Sequence, residues 1–315
     1  MSDVDAVITW VDGADPALSV KREHYLSNAT VPLHDNGTNP HRWVCSDELN
    51  FCLRSIANNA PWVRRVWIVT DNQIPVLQDL PAEFAAKIGI IDHREIFAGY
   101  ENVLPTFNSL SIETMLWRIP DLSEHFLYFN DDVFLTAPVL PTDFFTATGP
   151  VLRGKWADYA YLPDCNDSRD QASLLNHYNQ INAAQMIGYT AEHIFASAHA
   201  VHPMQRSVMS ALFDAHRDTF VRNAAHRFRC TQQFLPQSLY NHACLRAGSA
   251  AIHTGRDYLH VAIGAFEKWS VEEVHAYLSS AERHDIKLLC INDLPDVERN
   301  FPQVRQWIEA AIGGI

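Results

Sequence analysis

The chain has 315 residues, of which 47% are hydrophobic and 19% charged. That is the balance of a globular protein with a sizeable core, in one large domain or two. Lys and Arg number 24 against 37 Asp and Glu, a formal net charge of −13, which excludes nucleic acid as a general partner because phosphate backbones call for a basic surface. An anionic substrate would need positive charge gathered locally, or a cation.

Val4 to Val11 reads as a strand ending at Asp12-Gly13. Ala14 to Arg42 is polar, with turn signals at Asp35-Asn36-Gly37 and Asn39-Pro40, and predicts a long loop with one short helix. Ser46 is placed as an N-cap with Asp47 and Glu48 in the first turn. Leu49, Cys52, Leu53 and Ile56 then mark one helix face, and Pro61 lies just past the end. Arg65 to Thr70 predicts a strand ending at Asp71, and Lys87 to Ile91 one ending at Asp92. Asn108 or Ser109 caps a helix carrying Ile112, Met115 and Leu116, with Pro120 after it.

Phe126 to Phe134 is an apolar run broken by Asn130-Asp131-Asp132. A continuous apolar run is what a strand buried on both faces looks like. Late in the chain Lys287 to Ile291 runs into Asn292-Asp293 in the same way. Alternating strands and helices predict a parallel sheet with crossover helices. Five apolar runs that end in Asp would gather carboxylates along one rim, where open α/β sheets bind ligands. Adjacent carboxylates repel unless a cation, proton or arginine joins them.

The second half is different. Pro138 to Pro150 reads as loop and Lys155 to Arg169 as irregular and aromatic. Helices are predicted from about Ser173 to Met186, over Val201 to His216, Gln237 to Arg246, Val271 to Ala281 behind a Ser270/Glu273 capping box, and Phe301 to Ile312. Two basic clusters stand out: Ala198-His199-Ala200-Val201-His202, at a predicted helix entrance, and His226-Arg227-Phe228-Arg229. A histidine near a phosphoryl centre can act as a general base, and an arginine can hold phosphate oxygens bidentately.

Other signals are absent. There is no dinucleotide-binding glycine fingerprint, P-loop or nucleophile elbow. The six cysteines (Cys45, Cys52, Cys165, Cys230, Cys244, Cys290) form no Cys-x-x-Cys pair, so buried free thiols in a reducing compartment are expected rather than a structural zinc site. The opening residues carry no signal-peptide pattern, and no apolar run is long enough to span a bilayer. The expected location is therefore cytoplasmic, with any membrane association peripheral and at the inner face. The sequons at Asn28 and Asn36 are read as chance.

In order along the chain, Asp5 to Gly13, Asp47 to Ser55, Ala60 to Arg64, Ile68 to Asp71 with Gln73, Leu104 to Ser109, Ile112-Glu113, Phe129 to Val133, Ala198 to His202, His226 to Arg229 and Cys290 to Asp293 resemble the segments of the Stealth family of hexose-1-phosphoryltransferases. Cys52 stands where that family often has Ser. The resemblance implies a GT-A-like, Rossmann-like α/β fold in one catalytic domain. Residues 1–150 would form the nucleotide-sugar half, 151–285 a mainly helical insertion, and 286–315 a returning strand and helix. It implies transfer of sugar-1-phosphate, with N-acetylglucosamine or a related hexosamine as the sugar, from a UDP-sugar to a glycan or sugar hydroxyl. UMP would be released with help from Mg2+ or Mn2+. A glycosyltransferase releasing UDP remains the alternative. On this reading Trp10, Asp12, Gly13, Thr70, Asp71 and Gln73 hold the uridine part, supported by Arg54 and Asn108. Asp132 and Asp293, with Asp131 or Asn292, hold the cation. His199, or else His202, is the base, and Arg229 neutralises the phosphoryl group.

Overall fold

The computed structural model describes residues 3–29, 33–44, 46–163, 174–262, 264–280 and 285–313. Twelve strands are found among them: β1 (Val4–Thr9), β2 (Val66–Thr70), β3 (Ile88–Asp92), β4 (His125–Asn130), β5 (Val133–Leu135), β6 (Val151–Leu152), β7 (Gly154–Ala157), β8 (Ile194–Ser197), β9 (His202–Gln205), β10 (Ala251–Ile252), β11 (Tyr258–Val261) and β12 (Leu288–Ile291). The central sheet runs β3-β2-β1-β4-β9. Its first four members are parallel, and β9 is antiparallel to β4. The fold class is thus the expected α/β, with a parallel-dominated sheet.

Both faces of this sheet are covered, which is why its strands read as unbroken apolar runs. Ala6, Ile8, Val66, Ile68, Leu127 and Phe129 pack with the helix Glu48–Asn59 and with β5 and β12. The alternate residues Val7, Trp67, Val69, Phe126 and Tyr128 face the helices Arg206–Ala215 and Pro236–Arg246. The period-two alternation of a strand divides one run between two cores.

The parallel strands finish side by side, with Thr9 opposite both Val69 and Asn130, and Thr70 opposite Asp92. The run Phe126 to Phe134 is two strands rather than one. β4 ends at Asn130, the chain turns at Asp131-Asp132, and β5 joins a second sheet in the order β11-β12-β5, antiparallel to β12. The carboxylates therefore sit where the chain crosses from one sheet to the other. Asp132 carbonyl accepts from Ile291 N at 3.1 Å, which brings the end of β12 to the same place.

Several expectations need correction. The polar stretch after Asp12 carries a full helix, Pro16–Ser27, whose amphipathicity is too weak to show as a pattern. The Asp15 cap and Pro16 at the first position were its local signals. Ser46 does not cap the next helix. Asp47 takes that position at φ 71, without a side-chain cap bond, and Ser46 Oγ instead donates to Glu298 at 2.8 Å. Residues 202–205 form β9 before the helix begins at Arg206, so His199 and His202 do not stand at a helix entrance. The last helix starts at Val304 rather than Phe301. The Ser270/Glu273 capping box is present. Segment 151–285 supplies four helices of eight residues or more before residue 250, and also β6 to β11, of which β9 and β11 extend the two main sheets. Cys45, Cys165, Ser173, Ala281 and residues 164–169 at the end of the aromatic stretch lie outside the described residues. Among the described residues Cys52, Cys230, Cys244 and Cys290 are free thiols, and no helix is long and apolar enough to cross a membrane.

Candidate active site

A cleft of about 290 Å³ opens at the carboxyl ends of β1, β2, β4 and β12. Thr9, Trp10 and Val11 line it from the first strand, Asp71 from the second, Asn130, Asp131 and Asp132 from the fourth, and Asn292 and Asp293 from β12. His199 reaches in from the bend between β8 and β9, Arg229 from the loop after the helix Arg217–Ala224, and Asn108 and Ser109 from the start of the helix Ser109–Glu113.

Asp131 and Asp132 are adjacent carboxylates in a half-buried turn. Burial raises the Asp131 carboxyl well above the usual range, and Asp132 and Glu48 push it the same way. Burial also raises Asp132, against the pull of the Asn292 amide and His260. Asn292 Nδ2 donates to Asp132 Oδ2 at 2.6 Å. Asp132 Oδ1 is buried with no hydrogen-bond partner, an arrangement that costs free energy unless something positive meets it. A divalent cation fits that demand, and Asp131 and Asp293 line the same cleft with the oxygen donors that Mg2+ prefers. Asn292 clamps Asp132 through its amide, and its Oδ1 lies 2.7 Å from His260 Nε2, which leaves that oxygen one lone pair.

His199 is placed by Asn130, whose Nδ2 lies 3.2 Å from Nε2. Asn130 Oδ1 accepts from the Tyr128 hydroxyl at 2.5 Å, and that orients the amide with its donor toward the ring. His260 stacks on the other side, with ring centroids 5.0 Å apart and 17° between planes. Burial, then His260, Arg229 and Arg42, lower the His199 ring to about 3. His202 lies behind it, stacked on Tyr128 at 6.3 Å. Burial and His199 lower its ring to about 3. It does not line the cleft.

Arg229 donates to Ser109 Oγ at 2.5 Å. Burial pushes its guanidinium down, while Glu113, Tyr128 and Asp132 support the charge. Arg42, which no local pattern marked, lines the same cleft. Burial and the nearby Arg229 push it down, and Asp132 opposes them. An anion held between two such arginines would relieve both. His260, Glu48 and His93 were missed as well. Glu48 reads as a first-turn helix acid, His93 as part of a charged turn and His260 as a lone polar residue in an apolar run, and only folding brings them to the cleft or its wall.

The residues expected around the uridine divide into two groups. Trp10, Asp71 and Asn108 line the cleft, and Asp71 is paired with Lys21 at 2.9 Å. Asn108 also caps its helix and binds His226 O and Gln233 Oε1, each at 2.8 Å. Asp12, Gly13, Thr70, Gln73 and Arg54 do not line it. Gln73 braces the loop, accepting from Asp12 N at 2.9 Å and donating to Asp12 O at 3.0 Å and Asp15 at 2.9 Å, with Thr70 Oγ1 3.2 Å from its Oε1. Gly13 lies so close to Trp43 that a Cβ would stand 2.1 Å from its carbonyl oxygen. Arg54 packs over Phe51 and pairs with Glu309 at 3.5 Å.

Acids, arginines and a histidine thus gather at the rim of an α/β sheet. Residues 42–152 match the model of Stealth protein CR2, conserved region 2. The chain is 33% identical over 313 residues to an exopolysaccharide phosphotransferase of Streptomyces coelicolor, a match that covers 98% of this chain and 50% of that protein. It is 31% identical over 256 residues to the receptor polysaccharide phosphotransferase WefC of Streptococcus oralis, covering 73% of this chain and 74% of WefC. The chain belongs to the Stealth family, and it spans half the length of the Streptomyces relative. Among solved structures, the galactosyltransferase LgtC in complex with donor and acceptor sugar analogues matches 91% of this chain and 86% of its own. The TM-score there is 0.39 and the identity 14%.

Proposed function

We propose that the chain transfers a sugar-1-phosphate, that of N-acetylglucosamine or a related hexosamine, from a UDP-sugar to a hydroxyl of a glycan or sugar acceptor and releases UMP. It would act as a single catalytic domain on acceptors met at the cytoplasmic face of a membrane. The observation that carries this reading is one cleft in which half-buried carboxylates, two arginines and a neutral histidine meet. Phosphoryl transfer asks mainly for positioning and charge stabilisation, and this set supplies both. When bound, Mg2+ or Mn2+ would neutralise diphosphate charge and act as a Lewis acid on the phosphoryl oxygens.

Asp132 would hold the cation, with Asp131 and Asp293 beside it. Arg229, oriented by Ser109, and Arg42 hold the phosphoryl oxygens. His199 is neutral at pH 7, and its Nε2 lone pair, which accepts from the Asn130 amide, becomes available when the acceptor hydroxyl displaces that contact. It takes the acceptor's hydroxyl proton as that oxygen attacks phosphorus and the bond to the UMP oxygen breaks. The donor's negative charge offsets the arginines that depress the ring, so the base strengthens once the donor is in place. His202 supports it through Tyr128. Trp10 and Asn108 flank the donor, and Gln73, Thr70, Asp12 and Gly13 hold the loop that carries Trp10. Arg54 steadies the helix behind them.

The test is mass-spectrometric analysis of the nucleotide released from a panel of UDP-sugars, with and without Mg2+. UMP, formed only with acceptor and metal, is the expected result. UDP would mean glycosyl transfer, and turnover without acceptor would mean hydrolysis. Asp132→Ala and His199→Ala should stay folded and lose turnover by about a hundredfold or more; near-normal rates in both would overturn the assignment.

A further inference from the structure

Cys290 stands beside this cleft and has no part in the reaction proposed above. It lies in β12 and is fully buried. Its Sγ, a ring nitrogen of His199 and a carboxylate oxygen of Asp132 all lie within 4.8 Å of one another. The three donors come from three places in the fold: the β4–β5 turn, the β8–β9 bend and β12. As a set they are wrong for Mg2+, which takes oxygen ligands in near-octahedral geometry. They suit Zn2+, which takes imidazole, thiolate and carboxylate in tetrahedral geometry. The unmet oxygen of Asp132 described above belongs to this donor set. Asp132 Oδ2 is held by Asn292, while its Oδ1 is buried and has no partner.

We propose that Asp132, His199 and Cys290 form a Zn2+ site that overlaps the reaction cleft and stops turnover when filled. On binding, the Cys290 S–H bond breaks as the S–Zn bond forms, and the proton leaves to solvent. The His199 lone pair is given to the metal and is no longer available to the acceptor hydroxyl. Asp132 is withdrawn from the working cation, and the fourth tetrahedral position stays open to water. Donors of this kind bind Zn2+ more tightly than Mn2+ and far more tightly than Mg2+, so trace Zn2+ competes against a large excess of either. The loss of turnover rests on the reaction proposed above; the binding of Zn2+ does not.

The decisive measurement is spectroscopic. Co2+ added to the purified protein as a stand-in for Zn2+ should give a thiolate-to-metal charge-transfer band, absent in Cys290→Ala. Zn2+ affinity, measured by competition with a chromophoric chelator in excess Mg2+, should weaken about tenfold or more in Cys290→Ala. Cys290→Ser, with its far-UV circular dichroism, guards against a folding defect. With Mg2+ and UDP-sugar, micromolar Zn2+ should stop the wild type, while Cys290→Ala turns over normally and needs correspondingly more Zn2+. A cobalt spectrum without the thiolate band, or equal Zn2+ affinity in wild type and variant, overturns the proposal. If no UDP-sugar is turned over, the proposed reaction falls, while the cobalt spectrum still decides the site.

Discussion

At the scale of single residues, the site is built at the expense of stability. The folded pKa of Asp132 lies above its unfolded value of 3.8 because burial disfavours the charge. Its favourable contribution is therefore present at low pH and is lost as pH rises through the folded value. At neutral pH the charge is a liability that a cation would offset. Asp132→Asn should accordingly melt at a higher temperature than the wild type in chelator. Mg2+ or Mn2+ should raise the wild-type melting temperature and leave the variant unmoved; an equal metal response in both proteins would refute the ligand assignment. His93 has the opposite sign. It is 5% exposed, both its ring nitrogens lack partners, and burial lowers its pKa to about 4 from 6.5, against Asp71 and Asp92 and helped by Lys21. The fold keeps the neutral ring, so this contribution is present above pH 6.5 and is lost as pH falls toward 4. His93→Gln removes the titration. In denaturant unfolding, the stability gap between wild type and variant should narrow from pH 7 to pH 5, at no more than about 1.4 kcal/mol per pH unit. A gap that stays constant would contradict this.

At the scale of elements, the loops are held by close contacts that fix the cleft walls. Gly13 touches the Trp43 backbone, which ties the loop after β1 to the turn that carries Arg42. In Gly13→Ala the added carbon must push the two apart. The expected outcome is a several-fold higher KM for the donor, with far-UV circular dichroism close to wild type. A Cβ tolerated with an unchanged KM would show that the contact does not set the cleft. A second tie joins segments far apart in sequence. Arg153 donates to Asp257 Oδ1 at 2.9 Å and Oδ2 at 2.7 Å, with side chains 3% and 8% exposed, linking the start of β7 to the start of β11. Arg153→Ala leaves a buried carboxylate with only His253, 3.5 Å away, beside it and should cost about 3 kcal/mol of unfolding free energy. Arg153→Met together with Asp257→Leu should recover much of it. Equal losses in the single and double variants would argue against an ion-pair origin.

At the scale of the whole molecule, the cleft lies where two sheets share one chain segment. β4 belongs to the parallel sheet and β5 to the sheet of β11 and β12, so Asp131-Asp132 is anchored on both sides by buried strands. Two buried clusters, one on each face of the central sheet, hold that crossing rigid. Close packing on both sides keeps the adjacent carboxylates of this half-buried turn from relaxing apart.

The sequence by itself determined the α/β class, because apolar runs such as Val4 to Val11 and Arg65 to Thr70 alternate with helix-spaced segments, and that periodicity is a local property of the chain. It also marked Asp131, Asp132, His199 and Arg229, because polar residues that end or interrupt apolar runs show in one dimension. The sequence did not show that Phe126 to Phe134 splits between two sheets, since both strands are equally apolar and the turn between them is only two residues long. It did not separate residues that line the cleft from those that brace it. Gln73 and Asp71 stand two positions apart, yet one holds a loop and the other faces the cavity. Tertiary structure alone gathered Arg42, His260 and Cys290 around Asp132. Such convergence depends on long-range packing between segments that carry no record of one another in their local pattern.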